Sequence, residues 1–222
     1  MDRIAALKPT AVNAILAEVR ALQAQGRTVV SLMRGEPDFR TPPHIIRMMV
    51  EVVDPQPQWR ICDPACGTGG FLVRTIEFLQ KKYTSPEGVI TEEVENDDGT
   101  KETNTIYTGD LLEQYRSHIQ NDMFFGYDFD ATMLRIAAMN LMLHGLDSDP
   151  RQSGIHYGDS LSPEIETLPK ATLIMTNPPF GTKKGGGLPT RTDFTYPTSN
   201  KQFCFLQHCY RWLKPGGRAA VV

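Results

Sequence analysis

Cysteine is scarce in this chain, which has only four among its 222 residues. Three residues separate Cys62 from Cys66, and four separate Cys204 from Cys209. Neither spacing gives the usual paired ligands of a zinc site, and no suitably spaced pair of histidines accompanies them. We therefore expect reduced, partly buried thiols and no bound metal.

Positive charge is not in excess either. The chain has 23 Lys and Arg residues against 26 Asp and Glu residues, which leaves a net charge of −3. A protein that holds nucleic acid unaided normally carries a strongly basic surface. If DNA is the substrate, another chain or a further part of the protein must supply most of the binding.

Long apolar runs are also lacking. No stretch approaches the roughly 20 residues needed to cross a bilayer, and the start of the chain, Met1-Asp2-Arg3-Ile4, lacks the apolar core of a signal peptide. We predict a cytoplasmic protein with no membrane partner. Its length and its 40% hydrophobic content suit one globular domain with a sizeable core.

Strand and helix patterns alternate along the chain. The predicted strands cover residues 28–32, 60–63, 123–128, 155–157, 171–176 and 218–222. The predicted helices cover residues 10–22, 44–53, 71–83, 132–144 and 199–213. This alternation predicts the α/β class, with a parallel sheet, helices on both faces, and ligands at the carboxyl ends of the strands.

Two segments depart from the alternation. Residues 85–105 are polar, acidic and contain glycine, so we interpret them as an exposed, solvated loop. Residues 181–200 have no periodicity and predict a long mobile loop over a site.

A glycine-rich turn follows the strand predicted at residues 60–63 and reads Asp63-Pro-Ala-Cys-Gly-Thr-Gly-Gly-Phe-Leu72. Glycine lets the backbone approach a bound cofactor without a Cβ in the way. Taken alone, however, Gly67-x-Gly69-Gly70 fits any nucleotide-binding α/β protein.

Acidic residues at the ends of the next two strands support the prediction of a cofactor site at the glycine-rich turn. Asp128 ends one strand, where a carboxylate can accept hydrogen bonds from ribose hydroxyls, and Asp159 follows the next, where it can face an adenine amino group. Both have a structural alternative as caps of a helix or turn, and for Asp159 the two interpretations are almost equally supported. Asp130 has the position of an N-cap for the helix that follows it.

The sequence Asn177-Pro178-Pro179-Phe180 follows the strand predicted at residues 171–176. The Asn177 side-chain oxygen and the Pro178 carbonyl can each accept one N–H of an aromatic amine, which favours a more tetrahedral nitrogen with an available lone pair. Proline fixes φ and so holds that carbonyl in place, and Phe180 can stack on a base rotated out of a duplex, which is worth about 1–3 kcal/mol. The alternatives are a rigid polyproline turn and, for Phe180, core packing.

From about residue 46 onward, these motifs and their order resemble the modification subunit of type I restriction-modification systems. Further matching segments are Gly126-Tyr-Asp-Phe-Asp130, Met139-Asn-Leu-Met-Leu-His-Gly145, Thr198-Ser-Asn-Lys-Gln202 and Lys214-Pro-Gly-Gly-Arg-Ala-Ala-Val221. The resemblance implies an S-adenosylmethionine-dependent adenine-N6 DNA methyltransferase with a Rossmann-like sheet. It also implies that a separate specificity subunit reads the DNA sequence, and a restriction subunit is a further possible partner.

The resemblance assigns roles to residues of this chain. It implies catalysis by Asn177, Pro178, Pro179 and Phe180. With the glycine turn and the acids included, the candidate cofactor-binding residues are Thr41, Pro42, Asp63, Ala65, Cys66, Gly67, Gly69, Asp128 and Asp159.

The first 45 residues depart from that family. Thr41-Pro42 matches the end of a family segment that helps hold the methionine part of the cofactor, but Arg40 replaces the aromatic residue before it. The stretch Gly35-Glu-Pro-Asp-Phe39 and what precedes it resemble the N-terminus of class I/II pyridoxal-phosphate aminotransferases. We interpret residues 1–45 as a foreign or recombined segment without aminotransferase activity, and residues 46–222 as a partial methyltransferase core.

The carboxyl end also departs from the family, whose sheet has seven strands, because about five of the predicted strands lie between residue 46 and Val222. We therefore expect an incomplete sheet and little methyl transfer by this chain alone. A non-catalytic cofactor-binding or assembly fragment is one alternative function. Another is the same chemistry on a protein glutamine or an RNA amine.

Overall fold

The structure, a computed structural model, describes residues 22, 25–26, 41–95, 101–146, 154–167, 169–181 and 188–222. The chain divides into two compact units, residues 1–38 and 39–222, so the predicted division at residue 45 stays a prediction. The helix predicted at 10–22, apart from Leu22, and the strand predicted at 28–32 lie outside the described residues. Within the described part, no helix is long and apolar enough to cross a membrane.

A five-stranded parallel sheet forms the centre of the second unit, as the alternating pattern predicts. Its strands are β1 (Ile61–Asp63), β4 (Phe124–Asp128), β5 (Ile155–Tyr157), β6 (Ala171–Thr176) and β7 (Leu213–Val221). They lie in the order β5-β4-β1-β6-β7. The chain order reverses at β1, so the ends of β1, β4 and β6 meet at the point where open α/β sheets bind ligands.

Helices cover both faces of this sheet. They are α1 (Pro43–Val53), α2 (Gly70–Lys82), α3 (Ala131–Leu143) and α4 (Lys201–Trp212). Alternate residues of β1 enter different cores: Ile61 packs with α1, α2 and α3, whereas Cys62 packs with Cys209 and Trp212 of α4. The three-layer α/β prediction is therefore confirmed.

The ends of α3 show how local sequence sets the helix boundaries. Asp130 is its N-cap, as predicted, and its Oδ1 accepts hydrogen bonds from the N–H groups of Thr132 and Met133 at 2.8 and 3.4 Å. At the other end Gly145 has φ +86°, and the N–H of Leu146 donates to the carbonyl of Leu141. This pattern is a Schellman motif, which glycine favours because it has no Cβ.

Residues 85–105 do not form the predicted loop. They contain an antiparallel hairpin of β2 (Val89–Glu95) and β3 (Lys101–Tyr107), which is separate from the main sheet. The expected exposure is correct, since β2 is exposed along its whole length. The prediction of a loop was wrong because it relied on the acidic composition, which does not indicate the pairing between the two strands.

The last strand also begins earlier than predicted. The Lys214-Pro-Gly-Gly217 segment, expected to be a turn before a strand at 218–222, lies within β7. The register shifts there, because Ala171 pairs with Leu213 whereas Leu173 pairs with Arg218. Gly216, at φ +77°, allows the extra residues to form this irregularity.

All four cysteines are free and buried, so the predicted thiols are confirmed and lie deeper than expected. Within the described residues, no group of three His, Cys, Asp or Glu side chains is arranged to hold a metal ion.

Candidate active site

The glycine-rich turn connects β1 to α2 and is held by its own first residue. Asp63 is 2% exposed, and its Oδ1 accepts a hydrogen bond of 3.1 Å from the Ala65 N–H. Gly67 and Gly69 have φ values of +51° and +79°, which residues with a Cβ rarely adopt. A Cβ built on Gly67 meets nothing within 4 Å, so there is open space over the turn.

Asp128 fastens this turn to the end of β4. Its Oδ2 accepts a hydrogen bond of 2.9 Å from the Gly67 N–H, and its Oδ1 accepts one of 2.9 Å from the Asp130 N–H. Asp128 therefore does cap a turn, as its structural alternative predicts. This role does not exclude ribose binding, because each carboxylate oxygen can accept more than one hydrogen bond.

Gly126 leaves room for the glycine-rich turn, a role that sequence reasoning missed. A Cβ at this position would lie 2.9 Å from the Cβ of Cys66. Glycine in β4 therefore lets Cys66 pack under the turn, where burial raises the pKa of the thiol. The available signal was a glycine inside an apolar strand, which often marks the close approach of another chain segment.

Asp159 and Ser160 form the turn after β5. The Asp159 Oδ1 accepts a hydrogen bond of 2.9 Å from the Leu161 N–H, and its side chain is exposed. The Ser160 hydroxyl donates to the Pro64 carbonyl and ties this turn to the glycine-rich one. The structure thus shows the turn-capping role of Asp159, whereas contact with an adenine amino group stays a proposal.

Asn177 lies directly after β6, which pairs with β1 in the sheet. Its Nδ2 donates a hydrogen bond of 2.8 Å to the Thr41 hydroxyl. Its Oδ1 is buried and has no hydrogen-bond partner among the described residues. Pro178 is buried, while Phe180 is half-buried and lies outside both described core clusters. This arrangement leaves an acceptor oxygen without a partner three residues before an aromatic side chain.

A buried ion pair anchors the segment after the Asn-Pro-Pro-Phe motif. Arg191 makes two hydrogen bonds, of 2.7 and 2.6 Å, to the two carboxylate oxygens of Asp193. It also donates to the Ser160 carbonyl and to Nδ1 of His208, each at 3.2 Å. The described second half, 188–200, of the predicted mobile loop is therefore joined through Arg191 to α4 and to the turn beside the glycine motif, while about half of its residues are exposed.

His208 on α4 completes this cluster and is fully buried. Burial, and next the positive charge of Arg191, lower the pKa of His208 to about 3. Because Nδ1 accepts from Arg191, the proton of the neutral ring is on Nε2, which has no partner among the described residues. Neither Arg191 nor His208 was predicted, since no motif marks them.

The buried Asp63 carboxyl gives a prediction on pH. Burial raises the pKa of Asp63 from its ordinary 3.8 to about 7. Between these values the folded state binds the proton and the unfolded state does not, so this carboxyl lowers stability as the pH rises. The measurement is urea unfolding of Asp63→Asn and of the wild type at several pH values. We expect the free energy of unfolding of Asp63→Asn, relative to that of the wild type, to rise by a few kcal/mol from pH 4 to pH 8.

The control is Asp122→Asn, which removes an exposed carboxylate and should change the free energy of unfolding by no more than about 1 kcal/mol. His208 makes the free energy of unfolding rise with pH between pH 3 and 6.5. Because it does so in both the wild type and Asp63→Asn, its effect cancels when the two are subtracted. A difference between Asp63→Asn and the wild type that does not change with pH would show that Asp63 is not perturbed.

The structure brings most of the predicted site residues to one edge of the sheet. Asp63, Ala65, Cys66, Gly67 and Gly69 form the turn that Asp128 holds, and Thr41 contacts Asn177. Pro42 is the N-cap of α1, and its exposed ring is placed by that helix start. A glycine turn, an acid on the next strand and a free amide oxygen thus lie at one edge of the sheet, as in the α/β class of proteins that bind nucleotide cofactors.

Comparison with known proteins identifies the family within that class. Residues 32–222 match the family described as N-6 DNA Methylase, and the chain belongs to it. It is 35% identical over 189 residues to the type I restriction enzyme EcoKI methylase subunit of Escherichia coli K12, covering 85% of this chain and 31% of that protein. The chain thus spans about a third of the length of this curated relative.

A solved structure agrees with the sequence comparison. The crystal structure of the type I restriction enzyme EcoKI M protein matches with a TM-score of 0.64 and 32% identity, covering 82% of this chain and 33% of that chain. The predicted resemblance to type I modification subunits and the methyltransferase fold are confirmed.

The predicted aminotransferase resemblance also has a counterpart. Over 44 residues the chain is 50% identical to aspartate aminotransferase of Bacillus subtilis, which covers 20% of this chain and 11% of that protein.

Proposed function

We propose that this chain carries the catalytic core of an S-adenosylmethionine-dependent adenine-N6 DNA methyltransferase of the type I restriction-modification kind. The observation that supports it most is the buried, unpartnered Oδ1 of Asn177 at the sheet edge that also holds the glycine turn. An acceptor without a partner in a buried position is costly unless a ligand supplies the donor.

The residues present fit the cofactor. The open space over Gly67 leaves room for a ligand against the backbone. Asp128 keeps acceptor capacity for ribose hydroxyls, and Asp159 has an exposed carboxylate at the next strand end. Bound S-adenosylmethionine would supply an electrophilic methyl group on its sulfonium.

The protein's part in the reaction is to orient the amine. The Asn177 Oδ1 and the Pro178 carbonyl would accept the two N–H hydrogen bonds of the adenine amino group, so that its lone pair points away from them and toward the methyl donor. Phe180 would stack on the base. Rotating a base out of the duplex costs a few kcal/mol, which these contacts help to offset.

We further propose that DNA and a specificity subunit are the partners, and that a restriction subunit can join them. The net charge of −3 supports this because the chain itself offers no excess of cations for a DNA backbone. The EcoKI relative is likewise one subunit of a restriction enzyme. DNA as the substrate implies a cytoplasmic location.

Cofactor binding tests the first half of the proposal. In isothermal titration with S-adenosylmethionine, we expect Asp128→Ala to raise the Kd about tenfold to a hundredfold, since losing charge-assisted hydrogen bonds costs roughly 1.5–3 kcal/mol. Asp122→Ala is the matched control, because Asp122 lies just before the other end of the same strand and is exposed. It should bind as the wild type does.

Thermal unfolding of both variants separates a lost ligand contact from a loosened turn. Undiminished binding by Asp128→Ala would count against its ribose role. A folded wild type that binds no S-adenosylmethionine would reject the whole site.

A further inference from the structure

We infer that Thr41 is a positioning residue for methyl transfer, because its hydroxyl holds the Asn177 side-chain amide in place for the target amine. This inference rests on the proposed function and deepens it. It also differs from the role that resemblance assigns to Thr41, which is to hold the methionine part of the cofactor.

The contact joins two distant parts of the sequence. The Asn177 Nδ2 donates to the Thr41 Oγ1 at 2.8 Å, and both side chains are half-buried. The two residues are 136 positions apart, so the bond depends on the tertiary fold. No cofactor atom is needed to account for the placement of the Thr41 hydroxyl.

The orientation of an amide decides its chemistry. A rotation by 180° about the last side-chain bond of asparagine exchanges an acceptor oxygen for a donor NH₂ group of almost the same shape. The amino group of adenine offers two donors, so an NH₂ group facing it would repel it. In the structure Thr41 accepts from Nδ2, which leaves Oδ1, the atom without a partner among the described residues, as the end that can accept from the amine. A threonine hydroxyl can also donate, so the contribution of Thr41 is to fix the position of the amide, whichever end it contacts.

The fold holds Thr41 firmly. It directly precedes Pro42, the N-cap of α1, whose carbonyl accepts hydrogen bonds from the N–H groups of Ile45 and Ile46 at 2.9 and 3.3 Å. The helix is fixed in turn by Val50, which is 1% exposed in the main core. Threonine is also restricted about χ1 because it branches at Cβ.

The test compares Thr41→Val, which keeps the shape and removes the acceptor, with Thr41→Ser, which keeps the hydroxyl. Single-turnover transfer of labelled methyl to DNA is measured in the assembly with a specificity subunit. We expect Thr41→Val to slow transfer between about tenfold and a hundredfold, the range expected for a misplaced catalytic group. Its Kd for S-adenosylmethionine should stay within about twofold of the wild type, and Thr41→Ser should keep most of the rate.

Thr105→Val, on an exposed strand of the hairpin, controls for the loss of a threonine elsewhere. A Thr41→Val variant that binds the cofactor tenfold more weakly would make Thr41 a cofactor contact and overturn the inference. Unchanged transfer by Thr41→Val would overturn it as well.

A second measurement does not depend on activity. In NMR spectra the side-chain amide protons of Asn177, assigned by their absence in Asn177→Asp, should exchange with solvent more slowly in the wild type and Thr41→Ser than in Thr41→Val. Equal exchange rates in all three proteins would show that the hydrogen bond does not form in solution and would overturn the inference. A wild type that shows slow exchange but neither binds S-adenosylmethionine nor methylates DNA would instead contradict the proposed function.

Discussion

Replacing Asn177 with alanine should slow methyl transfer to adenine by at least about a hundredfold, which is the usual effect of removing one preorganised hydrogen-bonding group from an active site. The reason is that Oδ1 is the buried acceptor available to the target amine. Affinity for S-adenosylmethionine should not change, because Asn177 contacts Thr41 and makes no contact with the glycine turn among the hydrogen bonds of the described residues.

The control for this substitution is Asn121→Ala. Asn121 is exposed, and its amide donates to the Ser117 carbonyl in a helical segment before β4. That variant should transfer methyl groups as the wild type does. If Asn177→Ala retains turnover in an active assembly, Asn177 does not orient the amine.

Replacing Arg191 with leucine should lower the free energy of unfolding by about 3 kcal/mol, toward the lower end of the range for breaking a buried ion pair. The Arg191 side chain is 3% exposed and that of Asp193 is 26% exposed, so the remaining carboxylate keeps some contact with water. The Ser160 carbonyl and Nδ1 of His208 would also lose their donor. Urea denaturation measures the change directly.

A second substitution tests the physical cause. Arg191→Leu combined with Asp193→Asn leaves no unpaired carboxylate and should recover part of the lost stability. Arg116→Leu is the matched control, because Arg116 pairs with Glu113 at the surface, where both side chains are at least 70% exposed. Its effect should not exceed about 1 kcal/mol. An Arg191→Leu effect as small as this would mean that the buried cluster does not anchor the loop.

The frame of the fold could be predicted from short-range patterns. The strands at β1, β4, β5 and β6 begin and end within one residue of their predicted bounds, because apolar runs and the residues that end them are local signals. Asp130 and Gly145 likewise act at the helix ends where their residue types and positions predict.

The errors arose where local composition conflicts with pairing. Residues 85–105 look like a loop because of their charge, but strand pairing makes β2 and β3 a hairpin. The Pro-Gly-Gly sequence near residue 216 looks like a turn, but hydrogen bonds to β6 continue past it through a shift of register. In both cases the deciding interaction comes from another strand.

The site divides in the same way. The glycine turn and Asp128 could be predicted because both lie at the carboxyl end of a strand, and parallel strands bring their ends together. The contact of Thr41 with Asn177, the space that Gly126 leaves for Cys66, and the Arg191 cluster could not, since each depends on residues far apart in sequence.

The most direct test of the account is to identify the methylated product. The chain, assembled with a specificity subunit, is incubated with labelled S-adenosylmethionine and with DNA, RNA and protein substrates in parallel, and each product is hydrolysed. We predict that the label is recovered as N6-methyladenine from DNA and that Asn177→Ala removes it. Label in RNA or in protein glutamine instead, or no transfer by a folded assembly that binds the cofactor, would contradict the account.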